Sequence, residues 1–420
     1  MDGGILMRNF WLRNVRVESG FKKDRGTVVG TETKLVHVKV EGDSIVHITE
    51  DDTELNSNSY TVTDMKGKLL MPSFREMHIH IDKTYYGGPW KACTPITKGI
   101  FTRIEEEKQL LPQQLPFAQE RAEKMIELLL SNGHTHIRTH CNIEPTSKLK
   151  HLEVTIKALE KYKDYLTYDI VAFPQHGLLK SNSVELVKEA MRNGATIVGG
   201  VDPATVDRDL DKSLWTTMDI AVENNAGIDI HLHDPNTLGA FTFEKLAKLT
   251  EEANMQGKVT MSHAIGLGDL EGDSLTEIMT LLRENEIDIT TTVPINRPTI
   301  PIPTLDKFGI KVSVGHDSLT DHWSPFGTGD TLEKLNILAE RFRLIDEYSI
   351  NRVWKYASGG ITPLDDEGNQ VWPKVGDKAD FLFTEASCSA EAIARRTKIH
   401  SVYKSGREIN THQFEVATTK

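Results

Sequence analysis

From residue 69 onward the chain alternates short β-rich runs with stretches of helical periodicity, and no other feature restricts its possible folds as strongly. The runs are Leu69–Ile81, His136–Cys141, Ile170–Pro174, Thr196–Gly199, Ile228–Leu232, Val259–Ser262, Ile287–Val293 and Ile310–Val314. Helical spacing fills Leu115–Ser131, Leu149–Tyr165, Ser183–Asn193, Leu214–Asn225, Phe243–Met255 and Leu275–Glu284. In the first of these, Ala118, Ala122, Met125, Ile126 and Leu129 share one face, and Asn132-Gly133 supplies the stop. Pro298, Pro301 and Pro303 leave the seventh link only a short helix around Leu305. Eight strands alternating with helices predict an α/β protein built on a (β/α)8 TIM barrel, whose chemistry sits at the C-terminal ends of its strands.

The two ends of the chain read differently. Strand-like runs Leu35–Val40 and Ser44–Ile48 precede the barrel. A helical segment from Asp330 to about Ser358 follows it, and then come a Gly-, Asp- and Pro-rich stretch and the runs Asp380–Thr384 and Ser401–Lys404. Neither end has enough strands to be stable alone, so both are expected to join in one small β-sandwich. The expected division is 1–68 for its N-terminal part, 69–360 for the barrel and 361–420 for its C-terminal part.

A net charge of -12 without a basic run lacks the electrostatic footprint of a nucleic-acid binder. No apolar run approaches membrane-spanning length, and Met1–Gly20, with Arg13, Arg16 and Glu18, does not look like a secretory signal. Cys93, Cys141 and Cys388 are far apart and odd in number, which suits a reduced cytoplasmic setting. They also cannot supply the closely spaced Cys pair of the His/Cys zinc deaminases. The expected partner is a small molecule, and a homo-oligomer stays open.

Within Glu76–Thr84, strand alternation turns His78 and His80 to one side. An isolated His-x-His is more often structural than metal-binding, so the rest of the chain has to decide. The polar, metal-capable residues His78, His80, Gln175, His231, His263 and Asp317 all fall at ends of predicted strands, a phase that scattered structural histidines have no reason to keep. Three histidines and a carboxylate, His78, His80, His231 and Asp317, form a first shell suited to one divalent ion, zinc or iron. Such an ion lowers the pKa of its water toward about 7. Asp317 is then a candidate ligand and base at once. His134, His136, Arg138 and His140 share a face of the second strand and are read as supporting or packing residues. His233 shares the face of His231. Asp82 and Lys83 either contact substrate or brace the ligands, and Glu105-Glu106-Glu107 reads as a solvated helix start.

These residues resemble a known family. His-Ile-His-Ile-Asp-Lys-Thr, Phe173-Pro174-Gln175, His231-Leu-His-Asp234, Ser262-His263-Ala264 and Gly315-His316-Asp317 occur in the order of the amidohydrolase superfamily, specifically its cytosine-deaminase-like branch. Val375–Asp380 resembles the closing sheet of that family. The resemblance implies a mononuclear site with His78, His80, His231 and Asp317 on the metal. It also implies His263 orienting the attacking water or the tetrahedral centre, Gln175 on the carbonyl edge of the substrate, and Trp323 lining the pocket. Where the family has a Glu that protonates the ring nitrogen, this chain has Asp234, one methylene shorter. Ser318 and His176 also stand where that branch carries acidic residues, so the substrate-reading half of the pocket is expected to be recut.

The expected function is hydrolytic deamination of a cyclic amidine in a small heterocycle. One alternative is a mononuclear cyclic amide hydrolase. The two-metal version found in dihydroorotase-like relatives needs a carbamylated Lys at the fourth strand, and Thr196–Pro203 contains no Lys. A catalytically silent small-molecule-binding homologue is the other.

Overall fold

The computed structural model describes residues 9–55, 60–411 and 414. Residues 1–8, part of the stretch judged unlike a secretory signal, lie outside them, as do residues 415–420 of the tail.

Eight parallel strands, Phe74–Ile79, His134–Asn142, Thr167–Phe173, Ile197–Val201, Gly227–His231, Val259–Ser262, Asp288–Thr291 and Val312–Val314, pair in chain order as a nearly closed barrel. The eighth meets the first just beyond its own end. There Asp317 N donates to His78 O at 2.7 Å, and His80 N donates to Asp317 O at 3.3 Å. Glycine at 315 is required at this seam: a Cβ would stand 2.8 Å from His78 Cβ and 2.9 Å from His78 N. Closure thus brings the ends of the two strands that carry His78, His80 and Asp317 into direct backbone contact.

The run Leu69–Ile81 serves two sheets rather than one. Leu69–Pro72 pairs antiparallel with Phe381–Thr384 and touches Asn9–Asp24 at Arg16, and only from Phe74 does the chain enter the barrel. Every position from Leu69 to Phe74 is buried, so a periodicity reading cannot register the change of partner. The outer sheet carries Asn9–Asp24, Thr27–Glu41, Ser44–Thr49, Thr61–Asp64 and Leu69–Pro72 from one end of the chain. From the other end come Phe381–Thr384, Ile399–Lys404 and Arg407–Ile409. It curls back on itself, with Ile45 N bonded to Asp377 O and Ala379 N to Asp43 O. Its two layers enclose a core that includes Leu12, Val17, Val38, Val40, Phe381 and Phe383.

The first barrel helix also departs from expectation, because it runs Ile100–Ser131 and passes through Pro112 and Pro116 instead of beginning near Leu115. A mid-helix proline costs about 3 kcal/mol. Burial of Ile104, Leu110, Leu111, Ala118, Ala122 and Met125 along one face outweighs that local penalty. Among the described residues no helix is long and apolar enough to cross a membrane.

Candidate functional site

At the C-terminal mouth of the barrel lies a cavity of about 850 Å³ lined by His80, Gln175, His231, His263, Asp317 and Trp323 among others. The alternation of the first strand turns both His78 and His80 inward, with ring centroids 5.5 Å apart. His78 Nδ1 lies 2.8 Å from Ser262 Oγ, and Ser262 in turn donates to Asp229. With its proton committed to Asp229, the hydroxyl accepts from His78 Nδ1–H and leaves the Nε2 lone pair free. His80 Nδ1 likewise faces the His140 carbonyl at 3.1 Å. His231 stacks on Phe173 at 4.0 Å. His263 and Asp317 follow their strands in left-handed conformations, φ 69° and 58°, which non-glycine residues adopt rarely. Those bends turn both side chains into the cavity.

The ligand-capable atoms converge. One atom each from His78, His231, His263 and Asp317 lies within 4.8 Å of all the others. His80 Nε2 stands 3.1 Å from Asp317 Oδ1, His78 Nε2 3.4 Å from the same oxygen, and His263 Nε2 3.9 Å from Oδ2. Buried His78 Nε2, His263 Nε2 and both ring nitrogens of His231 have no hydrogen-bond partner among the described residues. Buried polar atoms are nearly always paired, so lone pairs left free around a carboxylate fit a bound cation. Burial, and then the neighbouring rings, hold His231 and His263 well below the usual histidine range; burial and the Lys83 cation lower His80. Neutral imidazoles are the form that ligates. Burial opposes the charge on Asp317, but His263, His78 and His80 outweigh it and hold the carboxyl well below its usual range.

Asp234 lines the same cavity. Its Oδ1 accepts from Thr205 Oγ1, while the buried Oδ2 has no partner among the described residues. Burial raises its pKa, and the charge of Asp202 adds to the rise against the Thr205 hydrogen bond. Beside it His233 is clamped by Asp202, with Nδ1 2.8 Å and N 2.6 Å from the two carboxylate oxygens.

The wall that carries Gln175 and Trp323 is organised by Glu107. The Glu105–Glu107 run was expected at a solvated helix start. Glu105 does face solvent, yet Glu107 is 0% exposed. Consecutive helical residues point about 100° apart, so the members of the triplet face different sides, and Glu107 falls on the side that packs inward with Ile104 and Leu111. Glu107 Oε1 accepts from His322 Nε2 at 2.8 Å and from Lys83 Nζ and Trp323 Nε1 at 3.2 Å. Its Oε2 accepts from His176 Nε2 at 2.9 Å and Asn142 Nδ2 at 3.0 Å. Burial resists ionisation of Glu107, but the Lys83 charge and the bonds from His176 and His322 hold it well below the usual carboxylate range. Lys83 donates further to Asn142 Oδ1 and Gln175 Oε1, both at 3.2 Å. An ammonium has no lone pair to offer, so Gln175 must turn its oxygen to Lys83 and its NH2 away from it.

Of the substrate residues expected from the sequence, Gln175, Trp323, Ser318 and Asp234 line the cavity. His176 is correspondingly turned to Glu107 and Glu144 behind that wall, because the chain turns sharply after Gln175. On the second strand, His134 bridges Leu129 O and Thr331 Oγ1, Arg138 pairs with Asp169 and Asp229, and the His140 ring lies tilted against that of His78 with centroids 4.0 Å apart. Sequence reading left Lys83 undecided and missed Glu107. The available signal was the continuation of Ile104, Leu110 and Leu111 through position 107 on the buried face.

Residues 61–409 match the family model described as the amidohydrolase family. The uncharacterized protein YahJ of Escherichia coli (strain K12) is 40% identical over 401 residues, covering 95% of this chain and 87% of its own. N-isopropylammelide isopropyl amidohydrolase of Pseudomonas sp. (strain ADP) is 28% identical over 406 residues, covering 94% and 98%. Among solved structures, N-isopropylammelide isopropylaminohydrolase from Burkholderia multivorans ATCC 17616 superposes with a TM-score of 0.84 at 26% identity, covering 96% of this chain and 98% of its own.

Proposed function

The chain belongs to the amidohydrolase family of metal-dependent carbon–nitrogen hydrolases, and from that premise we propose that it removes an exocyclic amino group from a cyclic amidine in a small heterocycle. The observation that carries this reading is the set of buried ring nitrogens of His78, His231 and His263 that have no hydrogen-bond partner among the described residues and cluster around Asp317, which lines the cavity. His78, His80, His231 and Asp317 would hold one divalent ion, zinc or iron, which when bound supplies Lewis acidity and lowers the pKa of water. Asp317 accepts the proton of the attacking water, and His263 orients that water and the developing tetrahedral carbon. Asp234, whose pKa burial raises, is the proton donor to the departing nitrogen in this reading. Gln175, its oxygen committed to Lys83, offers N–H to an acceptor on the edge of the ring. Trp323 covers the ring from the side. Free thiols at all three cysteines suit a reducing cytoplasm.

Ammonia release is the measurement. Aminated pyrimidines, pterins and triazines are incubated with the purified protein, with metal analysis of the same sample. Chelation should abolish release and one added metal should restore it. Persistent activity in metal-free protein refutes the mechanism, and a ring-opened acid without ammonia points to cyclic amide hydrolysis instead. With Asp317→Asn, unchanged ligand binding and no turnover in either form would mark a binding protein.

A further inference from the structure

Each carboxylate on the wall of the cavity already has a partner. Asp202 holds His233, Asp234 holds Thr205, Asp330 and Glu333 share Arg396, and Asp317 faces His78 and His80. The two cations on the same wall besides histidine, Lys334 and Arg297, form no ion pair among the described residues. Lys334 rises from the helix Thr331–Arg341, and its ammonium donates to Thr292 O at 3.4 Å, a long bond beyond the end of the seventh strand. The acids in its surroundings are Glu76, Asp317 and Glu333. Glu76 is already engaged by His316 Nδ1 and by the backbone N–H groups of His78 and His316. Burial therefore prevails over these acids and draws the Lys334 pKa down. A half-buried ammonium with no ion-pair partner among the described residues gains from an anion that enters the cavity beside it. Arg297 is exposed on the segment after the seventh strand, within electrostatic reach of His233, where it can draw an anion toward the cavity.

We propose that the substrate is a heterocycle bearing a carboxylate, which Lys334 binds inside the cavity while Arg297 guides it in at the mouth. A single half-buried ammonium on the cavity wall matches one monoanionic group, set on the side of the cavity that also carries Asp317. This inference rests on the proposed hydrolysis of a ring C–N bond and names the substrate class for it.

Cytosine, cytosine-5-carboxylate and cytosine-6-carboxylate serve as probes for calorimetric binding to the metal-loaded protein and for ammonia release. One of the carboxylates is expected to bind at least roughly tenfold tighter than cytosine, as one charge-assisted contact supplies. In Lys334→Met the ratio of carboxylate to cytosine affinity should fall toward one, and Lys334→Gln, which keeps a donor to Thr292 O, should lose the same preference. Arg297→Met should slow association of the carboxylate and reduce its salt dependence. Equal binding of the charged and neutral probes overturns the proposal, as does a preference that survives in the Lys334→Met/Arg297→Met double variant. Ammonia from neutral rings alone defeats this inference and leaves the proposed function standing. If no aminated ring, charged or neutral, binds or releases ammonia, both fall together.

Discussion

Replacing Glu107 by Gln perturbs the substrate wall at its hub with the least change in shape. The Lys83 Nζ–Glu107 Oε1 pair is 3.2 Å long and both side chains are 0% exposed, so solvent screens neither. At an effective dielectric of 20 the gross attraction is ~5 kcal/mol. Removing one partner of such a pair typically costs about 3–5 kcal/mol because the other charge stays buried. The amide keeps one oxygen for Lys83, His322 and Trp323, but its NH2 then confronts Asn142 Nδ2 and His176 Nε2. His176 can relieve this by changing tautomer, whereas Asn142 cannot flip while Lys83 holds its oxygen. We expect Glu107→Gln to lose about 3–5 kcal/mol in urea unfolding at neutral pH. The pH dependence follows from the depressed carboxyl pKa. This contribution is fully present above the unfolded-state value of about 4.3 and is lost as pH falls through the lower folded value. The gap between wild type and variant should therefore stay constant near neutrality and narrow only in acid. A loss below about 1 kcal/mol, or a gap that closes between pH 6 and pH 8, refutes the account of Glu107 as the charge partner of Lys83.

Gly315→Ala forces a methyl group against His78 at the seam, and overpacking of this kind costs about 1–3 kcal/mol; the thermal midpoint and bound metal should fall together, and an unshifted midpoint contradicts the close approach. His231→Asn should reduce metal content in elemental analysis well below one ion per chain, whereas His263→Asn should retain the ion and lose turnover; equal metal loss in both would make His263 a ligand. The rate should decline as pH rises through the elevated pKa of Asp234, the range in which its protonated form disappears. Asp234→Asn should lower kcat by roughly 100-fold and abolish that alkaline limb, and a limb that survives would assign it to another group.

The barrel was legible because its signals are local: strand alternation and helical spacing are written within a dozen residues, and a common phase puts His78, His80, His231, His263 and Asp317 at strand ends. The structure brings these five together, and the left-handed turns at 263 and 317 aim two of them. Sequence motifs also sufficed to name the family that the 61–409 match shows. What tertiary structure alone decided is which neighbours each polar side chain meets. Residues 69–72 leave the barrel run for the outer sheet because their partner, Phe381–Thr384, is about 300 positions away. Glu107 is central rather than solvated because the helix face that packs on the barrel includes it, 24 residues from Lys83 and 69 from His176. Lys334 reaches the cavity from a helix beyond the eighth strand. Local spacing determines the elements and the ends at which chemistry gathers. Electrostatic partners are chosen across the closed barrel, and no local pattern encodes them.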